Sequence, residues 1–495
     1  MPSEEFDVVV VGGGPSGSTL STLVAKKGHR VLLLEKETFP RYQIGESLLP
    51  ATVHGICGLL GVADEVAKAG FTVKRGGTFR WGSNPEPWQF AFAVSPKMAG
   101  PTSHAYQVER MKFDQILLDN ARFNGVEVRE RCAVLRVIEE NGRVTGVHYR
   151  DDEGRERTVH ARYVVDSSGN TGRLHKAVGG TRAYSDFFRN LAVFGYFEGG
   201  KRLPEPNSGN ILCAAFDSGW FWYIPLSPTL TSVGAVVNRE WADRVQGDPE
   251  QALLGLIDDC DLIKDHLSEA TRVTTGPYGQ VRVRKDWSYI NSSFWKPGMV
   301  LTGDAACFVD PVFSSGVHLA TYGAMLAARS INSSLAGTVP EEQAFEEFER
   351  RYRKEYAVFY EFLISFYSLH VDEQSYFWQA KQVTAYPKSD LEAFVDLVGG
   401  VSSGERDLIE AGDRLASSSC ELSRAVHGAG AATGGTGGSR GGLFHAPIVA
   451  DVMREGAHVQ ARALLGEDAG PETADLDGGL VSSGDGLSWV LPNHG

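Results

Sequence analysis

The 495-residue sequence is poor in cysteine, in net positive charge and in long apolar runs, and each shortage excludes something. The six cysteines (Cys57, Cys132, Cys213, Cys260, Cys307, Cys420) are scattered, with no Cys-x-x-Cys pair. Neither a zinc site nor a disulfide framework is expected, and no metal is assigned. Lysine and arginine number 48 against 62 aspartates and glutamates, a formal charge of −14, which argues against a nucleic-acid partner. No stretch approaches the roughly 18 apolar residues of a membrane span, and no signal peptide is expected. No membrane partner is expected, and the cytoplasm is the expected location. What remains is an ordinary globular composition, 42% hydrophobic and 22% charged, with an uneven excess of glycine at 57 residues.

Residues 6–35 read as one unit. Phe6–Val11 is a continuous β-branched run, as an inner strand of a parallel sheet requires, and Val31–Leu34 is a second. A glycine turn and a helical stretch with Leu20, Leu23 and Val24 on one face lie between them, so the pattern is a βαβ unit. Segments 126–149 and 155–166 alternate with period two and suggest a small β-meander. Strand character returns over 185–240. A strand at Met299–Thr302 and a helix over about 316–333 follow, and 341–370 and 388–427 look helical and charged. Between Gly428 and Gly442, 8 of 15 residues are glycine, a composition too poor in apolar surface to offset its ordering entropy and so expected to be a flexible linker. A short helix over about 447–465 and an acidic end are expected beyond it.

Three strand-to-glycine turns carry the chemistry. Gly12-x-Gly14-x-x-Gly17 stands between a strand and a helix, with Glu35 eighteen residues after the last glycine. Glycines there permit a tight turn and close approach to a diphosphate, the helix N-terminus faces that diphosphate, and an acid can accept ribose hydroxyls. This pattern alone does not separate NAD from FAD. Asp166 ends a second apolar strand before Ser167-Ser168-Gly169, and Gly303-Asp304 ends a third. A second acidic station so far downstream suits a cofactor with a second polyol arm, the ribityl chain of FAD.

Together the three stations resemble the FAD-binding architecture of the aromatic-hydroxylase (glutathione-reductase-like) superfamily. The fold this implies is α/β: a Rossmann-like FAD-binding domain, a β-sheet substrate domain and a helical C-terminal region. The expected boundaries are 1–80, 103–180 and 286–335 for the FAD-binding domain and 81–102 with 181–285 for the substrate domain. The helical region spans 336–427, the linker 428–442 and the acidic tail 443–495. Gly219-Trp220-Phe221-Trp222-Tyr223-Ile224-Pro225 fits W-x-W-x-I-P, the signature of flavin-dependent halogenases. On a strand, Trp220, Trp222 and Ile224 share one face and Phe221 and Tyr223 the other. The segment Phe71–Gly77 resembles the region of that family's active-site lysine, which makes Lys74 the catalytic candidate. Asp310–Gly316 opens a helix and resembles the family's chloride turn, which makes the amides of Ser315 and Gly316 the halide donors. Arg110, Glu46, Asp166 and Asp304 are expected at the cofactor, with Trp220, Trp222 and Phe313 as active-site wall.

The resemblance implies reduced FAD (FADH2) supplied by a separate flavin reductase. With O2 it would form a flavin hydroperoxide that oxidises chloride to hypochlorous acid, aimed by Lys74. One departure from the tryptophan halogenases is Phe313, where they carry a glutamate. A phenol or pyrrole stabilises its own cation and needs that carboxylate less. Residues 188–237 resemble the halogenases that chlorinate aryl or pyrrolyl groups tethered to an acyl or peptidyl carrier protein in natural-product biosynthesis, those of pyoluteorin-type pathways and the chondrochloren type. The basic clusters Lys201-Arg202, Arg282–Lys285 and Arg350–Lys354 are candidate docking points for such an acidic partner. The alternatives are a flavin hydroxylase or saturating reductase on the same fold, and a non-catalytic flavoprotein.

Overall fold

The computed structural model describes residues 4–81, 86–98, 100–368, 390–405, 408 and 479–491. The N-terminal βαβ unit forms as expected, with strands Glu4–Val11 and Val31–Leu34 parallel and helix Pro15–Ala25 between them. It lies within a sheet ordered Met299–Leu301, Glu156–Asp166, Glu4–Val11, Val31–Leu34, Glu127–Arg129, all parallel. Val8, Val9 and Val10 have no exposed surface, which is why the run is continuously apolar rather than alternating. The expected meander is shared between two roles. Ala133–Glu140 and Arg143–Arg150 pair antiparallel, and Arg143–Arg150 pairs with the first half of Glu156–Asp166, but the second half of that strand runs beside Glu4–Val11 and ends the central sheet at Asp166. Glu127–Arg129 is a strand of the central sheet and takes no part in the meander.

A second, nine-stranded sheet is built around Arg182–Glu198, Leu230–Val237, Gly219–Pro225 and Ile211–Phe216, antiparallel neighbours in that order. Strands Gly76–Arg80 and Arg282–Asn291, which the expected boundaries at 80 and 286 touch, are hydrogen-bonded into this sheet, the first parallel to Ile211–Phe216. The alternation read at 220–224 maps onto its two faces. Trp220, Trp222 and Ile224 enter the main core, whereas Phe221 and Tyr223 join a separate core capped by Leu253, Leu256 and Ile257 of helix Pro249–Asp258.

Helices Ser315–Ala336 and Glu341–Ser368 pack on each other and link the sheets. Asp390–Gly399 forms a further helix. The linker 428–442 and the helix expected over 447–465 lie outside the described residues. Within the acidic tail, a hairpin of Val481–Ser482 and Trp489–Val490 docks on helix Ser315–Ala336. Trp489 is wholly buried there, its indole N–H donating to Ser330 Oγ at 2.9 Å.

Candidate active site

The first turn is shaped for close contact. Gly12 has φ = +103°, and a side chain there would sit 2.5 Å from the Ser167 carbonyl oxygen. A Cβ on Gly17 would lie 1.9 Å from the Gly12 oxygen. The helix beginning at Pro15 has no side-chain cap and no acid in its first turn, so its N-terminal N–H groups face the turn with their partial positive charge. Gly14 lies beneath the guanidinium of Arg41. Glu35 is buried, accepting from the Gly13 amide at 2.7 Å and the Glu37 amide at 2.8 Å. Each carboxylate oxygen retains a second lone pair.

The three stations are knitted together by hydroxyls. Ser16 Oγ of the first turn donates to Thr302 Oγ1 at 2.8 Å, and Ser167 Oγ of the second lies 2.7 Å from the same oxygen. Asp166 takes the Ser168 amide and hydroxyl on Oδ1, while its buried Oδ2 has no partner among the described residues. Burial lifts the half-buried Asp304 to about 6, against the pull of Arg110 and Arg182. Arg110 is fixed in a two-pronged pair with Asp114 (2.7 and 2.9 Å) and donates to the Ile44 and Gly45 carbonyls. Beyond the second station a basin of about 580 Å³ is lined by Arg173, His175, Lys176 and Arg182, with Tyr184 at its rim. These glycines, unpaired amides, recessed acids and surrounding cations fit a dinucleotide with a diphosphate centre and two hydroxylated arms.

The two halves of the second cluster, Lys74 and Ser314, are 240 residues apart in sequence. Lys74 ends the short strand Thr72–Lys74, paired with Ala105–Gln107, and is 2% exposed. Its ammonium group donates to the Leu48 carbonyl at 3.0 Å and to Ser314 Oγ at 3.4 Å, and lies 5.5 Å from the Phe92 ring centre. Asn210 Oδ1 accepts the Arg75 and Gly76 amides and so holds the strand end in place. No carboxylate pairs with Lys74 among the described residues, and burial pulls its pKa down to about 7, opposed only by Cys213. Ser314 is one of three non-glycine residues with positive φ among the described residues (+62°) and leads directly into helix Ser315–Ala336. That helix start also lacks a side-chain cap, so the amides of Ser315 and Gly316 stand at an uncapped N-terminus beside Lys74.

The signature strand walls this cluster. Trp220 Nε1 donates to Tyr367 Oη at 2.5 Å, and Tyr367 donates to Asp310 at 2.8 Å, so the first tryptophan is tied to the turn that carries Ser314. Asp310 is buried and raised to about 6 by that burial. Trp222 Nε1 donates to Ser232 Oγ at 3.2 Å. Phe313 is packed among Phe79, Phe362, Phe366 and Phe394, ring centres 4.7–6.1 Å away, in an aromatic cluster. The structure therefore brings Lys74, Ser315, Gly316, Trp220 and Phe313 into one neighbourhood, and Gly12, Gly14, Gly17, Glu35, Asp166, Arg110 and Asp304 into the other. Glu46 lies between them, accepting from Tyr196 Oη at 2.7 Å and sensing Arg110.

Several contributors escaped sequence reasoning. Arg41, Tyr196 and Tyr367 belong to no contiguous motif, the tie from Asp310 to Tyr367 and Trp220 is long-range, and a serine in the left-handed region has no local signal beyond the Asp-Pro turn before it.

Comparison with known proteins agrees with this geometry. The chain matches the family described as tryptophan halogenase over residues 7–100 and 93–422. It is 36% identical over 380 residues to a tryptophan 2-halogenase of Chondromyces crocatus, covering 76% of this chain and 70% of that protein. It is 30% identical over 384 residues to the flavin-dependent halogenase ascD of Acremonium egyptiacum, covering 73% and 68%. Among solved structures, the myxobacterial chondrochloren halogenase CndH, described as a variant of FAD-dependent halogenases, shares 50% identity at a TM-score of 0.75, covering 98% of this chain and all of that one. With the dinucleotide cleft, the buried lysine and the uncapped helix start in one molecule, the chain belongs to the tryptophan-halogenase family and is a flavin-dependent halogenase.

Proposed function

We propose that this halogenase chlorinates an electron-rich ring, a phenolic or pyrrolyl acyl group carried on an acyl or peptidyl carrier protein, with Lys74 directing the oxidant. The observation that carries the reading is the burial of the Lys74 amine against Ser314, one residue from the uncapped amides of Ser315 and Gly316. FAD would be held by the Gly12–Gly17 turn and its helix at the diphosphate, by Glu35 at the ribose, and by Asp166, Asp304, Arg110 and Glu46 along the second arm. Reduced FAD delivered by a flavin reductase supplies, with O2, the oxidant that converts chloride to hypochlorous acid.

The residues of this chain do the rest. The Ser315 and Gly316 amides hold chloride through the positive end of the helix. With a pKa of about 7, Lys74 is close to half neutral at neutral pH. As an ammonium it donates a hydrogen bond to hypochlorous acid. As an amine it reacts with it to give a chloramine and water. In either form the chlorine passes to a ring carbon, the ring then loses a proton, and the amine is restored. The Trp220–Trp222 strand keeps the ring from the flavin, which disfavours hydroxylation. Phe313 leaves no carboxylate to stabilise a ring cation, in keeping with a ring that stabilises its own.

Of the candidate docking points for a carrier, Arg284 and Lys285 are the pair that supports this reading. Lys201 is paired with Asp265 and Arg202 bonds inward to the Ser227 carbonyl, while Arg350, Arg351 and Arg353 are tied to Glu347 or Glu349. Arg284 and Lys285 are exposed, and Lys285 lies 4.8 Å from the Trp287 ring centre. The enzyme, a flavin reductase, NADH and chloride should be incubated with the same ring free and carrier-bound. Chlorination of the carrier-bound form alone is the expected result, and equal chlorination of the free acid would remove the carrier from the account.

A further inference from the structure

Glu46 is one of the most deeply buried acids in the chain and lies between the cofactor stations and the signature strand. It is 2% exposed, and its backbone is held by the Val108 amide at 2.7 Å. One carboxyl oxygen accepts from Tyr196 Oη at 2.7 Å, and Tyr196 Oη is 2.7 Å from Tyr42 Oη. The other oxygen, Oε2, is buried with no hydrogen-bond partner among the described residues. Tyr42 is only half-buried, and the Arg282 guanidinium lies 3.7 Å over its ring. The three oxygens form an unbroken chain from a buried acid to a residue with part of its surface exposed.

We propose that Glu46, Tyr196 and Tyr42 are a proton relay serving the flavin side of the site, with Glu46 as its proton-holding end and Tyr42 as its exit. The transfer balances without electrons. Water gives a proton to Tyr42 Oη as the Tyr42 proton moves to Tyr196 Oη and the Tyr196 proton moves to Glu46 Oε1. Running it backwards empties Glu46. The movement is concerted, because burial and the neighbouring carboxyl push both phenols far above their ordinary range and neither accumulates as a phenolate. When the proton of a neutral Glu46 stands on Oε2, Oε1 takes the Tyr196 proton as Oε2 hands its own to a group bound beside it, and the reverse movement takes one up there.

The charges facing the relay suit a group that switches near neutrality. Burial raises Glu46 to about 7, with Glu109 adding to the rise, while Ser232, Tyr196 and Arg110 hold it down. Arg282 and Arg284 face Tyr42, and Tyr278, packed on both tyrosines, is occupied by Glu109 at 2.8 Å. Ser232, which helps hold Glu46 down, also accepts the Trp222 indole N–H at 3.2 Å.

The test needs neither substrate nor turnover. The carbonyl-stretch infrared band of a protonated carboxylic acid should be followed in the FAD-free and FAD-loaded enzyme across neutral pH, in H2O and D2O. The relay predicts a band present at about pH 6, lost through about pH 7, and absent from Glu46→Gln. Tyr42→Phe keeps the ring and the Tyr196 hydroxyl, so the midpoint should stay while re-equilibration after a pH jump slows at least about tenfold. Tyr196→Phe removes a donor to the carboxylate, and the midpoint should rise. An unchanged jump rate in Tyr42→Phe, or no band in the wild-type enzyme at about pH 6, would overturn the proposal. Neither outcome depends on which ring is halogenated, so failure here and failure of the halogenation reading are separable.

Discussion

Lys74 shows how placement alone changes the proton affinity of an ordinary amine. On a surface its amine would stay charged to a pKa near 10.5; here, desolvated and hydrogen-bonded to a carbonyl and a hydroxyl with no carboxylate partner among the described residues, it is brought to about 7. The unfolded chain holds that proton up to about 10.5 and the folded one releases it near 7. Lys74 therefore costs most stability below pH 7, and stability rises as pH climbs from 7 to 10.5. Replacing it with methionine should raise the melting temperature at pH 6 more than at pH 9, on a scale of roughly 1.4 kcal/mol per pKa unit. If a neutral amine carries the chlorine, the halogenation rate should climb with pH through about 7. At the helix start, a Cβ on Gly316 meets nothing within 4 Å, so Gly316→Val should fold. Crowding the amides, it should raise the chloride concentration for half-maximal rate about tenfold or more, measured by steady-state chlorination. An unchanged halide dependence would remove the anion site from this turn.

At the level of elements, the parts with a local physical reason were legible beforehand. A continuous β-branched run must be a buried parallel strand, and Gly12 and Gly17 leave no room for any other residue. The alternation of Trp220, Trp222 and Ile224 against Phe221 and Tyr223 separated two cores before either was visible. The long-range part was not legible. Nothing near Lys74 says that Ser314 lies 3.4 Å away, and nothing near Trp220 says that Tyr367 and Asp310 will hold it. The period-two segments at 126–166 were read as one meander because periodicity reports a strand but not its partner. Because Gly17 meets the Gly12 carbonyl, Gly17→Ala should lower FAD affinity by about 100-fold or more, read by flavin fluorescence.

At the scale of the whole molecule, a −14 chain presents an exposed basic pair, Arg284 and Lys285, where an acidic partner could be received. Arg284→Glu with Lys285→Glu should raise KM for the carrier-bound ring about tenfold and leave NADH-coupled flavin oxidation unchanged; an unchanged KM would exclude this face. The tail contributes to stability as well as charge. Trp489 is buried between Arg329 and Arg351, each 5.0 Å from its ring, and Trp489→Ala should cost about 3–5 kcal/mol in denaturant unfolding. The central claim is that Lys74 directs the halogen to the ring, and single-turnover mass spectrometry tests it directly. Wild-type and Lys74→Met enzymes, loaded with equal FAD, are given a flavin reductase, NADH, chloride and the carrier-bound ring. Chlorinated product from the wild type and none from Lys74→Met, at equal NADH consumption, is the predicted result. Chlorinated product from Lys74→Met at the wild-type rate would contradict it.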